Sequence, residues 1–441
     1  MKIRIDKDFF IRSELFILLL LGITQIRSME TTNLLLNILL LAIMAIMNID
    51  TMTIMLFVAL PFFNLMNYKM GTTSLYYLGI IIFLVKYFFT AKTAKKASRL
   101  LILLGLIILR IPSGDFILLI KWTLLISVLI FTYNEEFFVG QIKDIIKYIS
   151  FSTLFSSVIG YYMLKTGTSI YTRSYVFTYG IGKTTRFAGL IGDSVFYAQF
   201  VDILIAANLI IAFYNDRIVN VNTLLAAALT PFVVITYSKM GFILLIFSYA
   251  VFAFSSIRHN AINHNKIYKS LFLLLFSVLF FSVLTAYISS NRDLYVVKNY
   301  ITRFSSSDLS TGRIKIIKHY IALLGKSWRT LFFAMAQDVY TTPFTTNGIN
   351  MINRSHNIYL ETVCAFGLTA SVIIFTWIIT RIFKACAGKE YVKILPAAIL
   401  LVSGLVLHGH FEFHYYALVA LAMAFLSCNL SKFDVRKEAL N

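Results

Sequence analysis

His356 is the residue of this chain best suited to move a proton. It follows Ser355 at the head of a long apolar run, 356–383. With Ser355 as N-cap, His356 falls in the first helical turn, where the positive end of the helix dipole disfavours the imidazolium. A neutral, proton-accepting imidazole at a membrane surface can act as a general base. The competing reading is a packed histidine bonded to a carbonyl. Arg354 and Glu361, close in sequence, and the basic segment ahead of them favour chemistry.

Arg186, Arg313 and Lys239 are of the types that hold phosphate oxygens, the guanidinium in bidentate fashion and the ammonium as a point charge. Arg186 closes a polar segment and opens the apolar run Phe187-Ala188-Gly189-Leu190. If that run is helical from its start, Asp193, seven residues on, shares a face with Arg186, and Asp202 lies deeper in the same span. A snorkelling interfacial arginine is the alternative. Arg313 follows Ser310-Thr311-Gly312, and Ile314, Ile317, Ile321, Leu324, Trp328 and Leu331 recur at helical spacing after it. The spacing predicts an amphipathic helix over 313–333 lying on the outer leaflet, capped by Ser310 or Thr311, with Lys315, Lys318, His319, Lys326 and Arg329 on its wet side. Arg313 sits at its N-terminus, where N–H groups and the dipole favour an anion. Tyr237, Ser238 and Lys239 form a tight turn between two apolar runs, which offers a further phosphate contact.

Other chemistries find little support. The chain has no phosphate-loop, dinucleotide-binding or H-E-x-x-H motif, and its three cysteines have no metal-type spacing. His408, His410, Glu412 and His414 alternate, but a wet interfacial turn accounts for them better than a metal site. No metal and no cofactor is expected.

These residues need elements to hold them, and composition says which. Of 441 residues, 59% are hydrophobic and 14% charged, against about 25% charged in a soluble domain. Nucleic-acid readers, cytoplasmic enzymes and secreted disulfide scaffolds are thereby excluded. Charge-poor apolar runs fall at 13–27, 32–47, 51–66, 74–90, 99–111, 115–132, 144–163, 187–213, 223–237, 239–257, 270–289, 356–383, 394–411 and 414–430. An all-α polytopic membrane protein with about 12–14 transmembrane helices is expected, as a single domain over 1–441 with an uncleaved first span. With both termini cytoplasmic, the basic stretches Lys92–Arg99, Arg258–Lys269 and Arg381–Lys393 fall inside, as the positive-inside bias requires.

Two segments then fall outside. The first is 164–186, with four basic residues and no acid. The second, large loop is 290–355, with nine Lys or Arg against three Asp. Long loops translocate regardless of charge, so this excess alone is not diagnostic. It also fits a basic vestibule for a polyanionic ligand at the outer surface. Nucleotides are scarce there, so a bond formed outside must draw on energy stored in a substrate such as a lipid diphosphate.

The span from His356 to Gly367 (HNIYLETVCAFG) is similar to the H-x10-G pattern of the O-antigen ligase family, and Arg186 to Leu190 (RFAGL) resembles its R-x3-L pattern. RFAGLIGDSVFYAQF, YSKMGF, STGR and SHNIYLETVCAFGL occur in the order of the wider superfamily of O-antigen ligases and surface-polysaccharide polymerases. The resemblance covers roughly 186–383. It implies a glycosyltransferase C-type fold in the cytoplasmic (inner) membrane, with an active site facing the periplasm or exterior. The implied substrates are undecaprenyl-diphosphate-linked oligosaccharides, as donor and acceptor, used without metal. Partners so implied are membrane lipids, a chain-length regulator and a flippase, with no nucleic acid. By position, His356 corresponds to the catalytic histidine, and Arg186 and Arg313 to ligands of the donor diphosphate; Lys239 is added to them as a diphosphate contact on the strength of its turn alone. The segment before His356, FFAMAQDVYTTPFTTNGIN, departs from the family in lacking a compact glycine turn. The leading expectation is a polymerase. A ligase, which shares the skeleton but transfers to lipid A core, is the alternative. A transporter or flippase for an anionic glycolipid would instead need broken helices or an inverted repeat with charge at the midplane.

Overall fold

The computed structural model describes residues 7–67, 73–90, 92–110, 116–167, 175–178, 182–214, 220–262, 298, 300–301, 313–333, 344–346, 349–351, 355–388, 390–407, 409 and 412–428. These are predominantly helical. Each apolar run named above carries a helix except 270–289, which lies outside the described residues. In chain order these are α1 (Lys7–Ile26), α2 (Glu30–Ile46), α3 (Ile49–Ala59), α4 (Tyr76–Thr90), α5 (Thr93–Arg110), α6 (Phe116–Thr132), the short α7 (Glu136–Val139), α8 (Ile142–Thr166), α9 (Ser194–Tyr214), α10 (Val221–Val234) and α11 (Lys239–Ile262). The remainder are α12 (Arg313–Leu324), α13 (Trp328–Phe332), α14 (Ile358–Ala387), α15 (Leu395–Gly404) and α16 (Tyr415–Ser427). Among the described residues, four stretches are long and apolar enough to cross a bilayer: Lys7–Ile26, Ser194–Tyr214, Lys239–Ile257 and Ile358–Ala387.

The fold is all-helical, as expected, and among the described residues the polar segments add only two short hairpins. Tyr175–Thr178 (β1) pairs antiparallel with Gly182–Thr185 (β2), in register Tyr175 to Thr185. Phe344–Thr346 (β3) pairs with Ile349–Met351 (β4).

The chain divides into two compact units. One comprises Met1–Ser152, Ser310–Lys389 and Leu400–Cys428; the other comprises Thr153–Leu309, Glu390–Ile399 and Asn429–Asn441. In the first, the turn after α6 is locked by Glu135, a buried carboxylate that accepts from Arg99 at 2.8 Å and Lys95 at 3.1 Å, both on α5. Trp122 of α6 donates to the Tyr416 hydroxyl of α16 at 2.8 Å. Lys86, which lies inside an apolar run, is paired with the Met47 carbonyl rather than left bare in it.

In the second unit α9 is the core helix. It is apolar all round, as a helix buried on every side must be, and 94% of its apolar stretch is buried against 28% for α11. Its one charged residue, Asp202, is fully buried and has no hydrogen-bond partner among the described residues.

Candidate functional site

The sequence-selected residues fall into two groups, one in each unit. In the second unit, Arg186 lies just outside α9 and is 6% exposed. Its Nε–H donates to the Thr236 carbonyl at 2.9 Å, and the Phe187 N–H donates to the Ile235 carbonyl at 3.3 Å. The RFAGL segment is thereby tied to the turn that joins α10 to α11. That turn is tight because Tyr237 adopts φ 52°, a left-handed conformation that a bulky aromatic side chain disfavours. Lys239, the first residue of α11, is half-buried directly after it. Arg186 and the Tyr237-Ser238-Lys239 turn, chosen from sequence as separate phosphate contacts, therefore belong to one corner.

Two residues that the sequence did not mark complete this corner. The Tyr300 hydroxyl donates to the Val234 carbonyl at 2.7 Å, and its ring packs 5.6 Å from that of Tyr237. Tyr197 lies against the backbone of Gly189, which has φ 52°, and its hydroxyl bonds to that of Ser157 at 2.5 Å. A Cβ on Gly189 would stand 2.1 Å from the Tyr197 ring, so this motif glycine is required twice over.

Asp193 corrects one expectation. The run at 187–213 is helical only from Ser194, because residues 186–193 follow turns with Gly189 and Gly192 at positive φ. Arg186 and Asp193 therefore share no helical face. Asp193 instead caps α9, its Oδ1 accepting from the Val195 and Phe196 N–H groups at 2.7 and 3.2 Å.

In the first unit, His356 and Arg313 stand at the entrances of α14 and α12, each half-buried. The helix after His356 starts later than its sequence suggests. Asn357, not Ser355, is the N-cap: it has extended φ −152°, and its side chain accepts from the Leu360 N–H at 2.9 Å. Asn ranks with the best caps, and it stands immediately before the first helical residue, Ile358. Ser355 is buried and bonds to Asn357, its Oγ donating to the carbonyl at 3.0 Å. His356 thus lies outside the first turn, in a left-handed conformation with φ 48°. Histidine visits that region more readily than most residues, but the conformation still costs roughly 1–2 kcal/mol.

Gly367, at the far end of the H-x10-G spacing, has φ 78° and ψ 165° inside α14. Only glycine occupies that region readily. A Cβ there would stand 2.2 Å from the Phe332 carbonyl oxygen, so α13 packs backbone to backbone on the kink. Glu361 is buried, and its Oε2 accepts from the Gly409 N–H at 2.5 Å, which fixes the segment between α15 and α16 to the first turn of α14. Arg354, His408 and His410 lie outside the described residues, as do the caps expected for Arg313. Glu412 is half-buried and His414 fully buried.

The helix expected over 313–333 is broken. It stops at Leu324, and α13 restarts after Ser327, whose side chain accepts from the Thr330 N–H at 3.2 Å. Gly325 and a serine cap interrupt it. Its packed face is also rotated from the expected stripe: Ile316, Tyr320, Leu323 and Leu324 bury against Cys364, with Leu360, Val363 and Leu331 beside them. Ile314, Ile321 and Trp328 stay exposed. No protein-family model, no curated protein and no solved structure matches this chain.

Proposed function

We propose that this protein is a surface-polysaccharide polymerase, of the O-antigen kind, that joins undecaprenyl-diphosphate-linked repeat units at the outer face of the cytoplasmic membrane. One observation carries the reading. Gly367, the glycine of the H-x10-G pattern, and Gly189, which lies inside the RFAGL segment, both stand at positive φ where a side chain would collide. The residues proposed for chemistry stand beside them, Arg186 three residues before Gly189 and His356 in a strained left-handed conformation at the head of the helix that Gly367 kinks. A strained backbone such as that of His356 accumulates where a side chain must be aimed.

In the proposed reaction His356 accepts the proton of an acceptor sugar hydroxyl, whose oxygen attacks the anomeric carbon of the donor with inversion. The bond from that carbon to the diphosphate oxygen breaks, and the lipid diphosphate leaves. Arg186, Arg313 and Lys239 take the role of stabilising the charge that grows on it. Arg186 suits this role because its Nε–H bond to the Thr236 carbonyl fixes the guanidinium plane.

The ligase reading is favoured by the H-x10-G spacing and uses the same residues with lipid A core as acceptor. The lipopolysaccharide gel of a deletion strain distinguishes them. A single repeat on the core supports the polymerase, bare core supports the ligase, and an unchanged ladder rejects both. Both termini are assigned to the cytoplasm in this reading. Cysteine labelling from outside should reach positions 170 and 345 and miss 262 and 388.

A further inference from the structure

We propose that the outward face of α12 and α13 binds the anionic headgroups of a phospholipid bilayer. The proposal takes from the reading above only that the chain lies in a membrane, and nothing of its glycan chemistry. The inner face of this helix pair is occupied, since Ile316, Tyr320, Leu323 and Leu324 pack on α14. The other face carries large apolar side chains that none of the described residues covers: Ile314 and Ile321 are each 56% exposed, Trp328 72% and Phe333 52%. Among them stand four exposed cations, Lys315, Lys318, Lys326 and Arg329. The whole stretch 313–333 contains no Asp or Glu. A soluble partner would need to offer both a broad apolar surface and an unopposed negative charge. An anionic bilayer offers both at one boundary, with acyl chains below and phosphates above.

The depth of the pair agrees. α14 has 30 residues in two helical segments that meet at the Gly367 kink, and the stretch is long and apolar enough to cross a bilayer. Leu360, Val363 and Cys364, against which α12 packs, lie within about 10 Å of its start, at headgroup depth. Phe332 meets the kink at Gly367, about 14 Å from the start, near the upper acyl chains. Lys315 and Lys318 stand beside the shallow contact and Trp328 and Phe333 beside the deeper one, where the stems of Lys326 and Arg329 are long enough to snorkel upward.

Trp328 supplies the test, being one of three tryptophans. The full chain is reconstituted in phosphatidylcholine nanodiscs that contain an equal minor fraction of brominated phosphatidylglycerol or brominated phosphatidylcholine. Trp328 emission is taken as the difference between wild type and W328F. Quenching by the anionic bromolipid should exceed that by the neutral one, with an enrichment of about fivefold, the factor that one cation near an anionic surface gives. In the variant K315Q/K318Q/K326Q/R329Q the two lipids should quench equally, and the neutral-lipid quenching, unchanged, reports that the face is still in place. Equal quenching by both lipids in wild type would reduce the face to ordinary lipid contact. Absence of quenching would mean that water or another protein covers it, and selectivity that survives the fourfold substitution would show that these cations do not carry it. Each of those three results overturns the proposal.

Discussion

The Arg186 corner and the His356 corner are held in opposite ways. Arg186 is nearly buried and is itself a structural bolt, since its Nε–H ties the RFAGL segment to the Thr236 carbonyl. His356 is half-buried, and around it Asn357 caps the helix, Ser355 braces the cap, and Gly367 lets α13 close on α14. The first corner therefore couples the proposed role of its arginine to folding, whereas in the second the cap and the kink are built by residues other than the proposed base. A substitution at Arg186 should damage both abundance and chemistry, and one at His356 chemistry alone.

His356→Ala gives the largest expected effect. Under the proposed reaction His356 is the general base, which contributes about 10² to 10⁴-fold in rate, so chain extension should fall below detection while immunoblots show normal abundance. His356→Gly should be equally inactive and at least as abundant, because glycine adopts φ 48° without strain. Wild-type extension by either variant, or activity lost only with the protein, would return His356 to the packed-histidine reading and dissolve the comparison.

Gly367→Ala comes next. It adds backbone strain at φ 78° and drives a methyl into the Phe332 carbonyl, together about 3–5 kcal/mol, enough to prevent accumulation. Gly105→Ala on α5, where nothing lies within 4 Å, should be neutral or slightly stabilising. If Gly367→Ala accumulates normally, the backbone contact between α13 and α14 is not what holds the His356 corner.

Arg186→Lys should be intermediate. The lysine keeps the charge but cannot reproduce the Nε–H bond, and loss of a charged hydrogen bond costs about 1.5–3 kcal/mol, so abundance and extension should fall together. Arg313→Lys, at a half-buried helix entrance, should impair extension with abundance intact, and Lys318→Ala on the exposed face should leave extension unchanged. Equal tolerance at 313 and 318 would make Arg313 part of a generic basic surface.

The sequence foretold the helices better than their entrances. Apolar runs marked the positions of α1 to α6, α8 to α11 and α14 to α16, because a chain short of charge over a helical length has few other solutions. Entrances depend on single hydrogen bonds, which periodicity does not register. Thus residues 187–193 read as helix although Gly189 and Gly192 turn the chain there, and Asp193 read as a companion of Arg186 although it caps α9. The split of the 313–333 helix was legible in Gly325 followed by Ser327, a stop and a cap, but the apolar stripe ran through it and masked the signal. That stripe also mixed two faces: Leu324 packs on protein, whereas Ile314 and Ile321 do not. Nothing in the sequence announced Tyr300 or Gly409, since both act across gaps of 48 residues or more.

The smallest predicted effect distinguishes the two caps offered for α14. Asn357 accepts from the Leu360 N–H and donates through Nδ2 to the Leu405 carbonyl at 3.1 Å, so it joins the helix start to the end of α15 as well as capping it. Asn357→Ala removes both bonds and should cost about 1–2 kcal/mol. Asn357→Ser keeps the cap alone and should recover about half of that loss. Ser355→Ala removes only a brace on Asn357, so it should cost less than Asn357→Ala in thermal unfolding of the detergent-solubilised protein. Were Ser355→Ala the more damaging of the two, the helix would begin at the serine. His356 would then lie within the first turn, under the full helix dipole, and its left-handed backbone would no longer be the feature that sets it apart from Arg186.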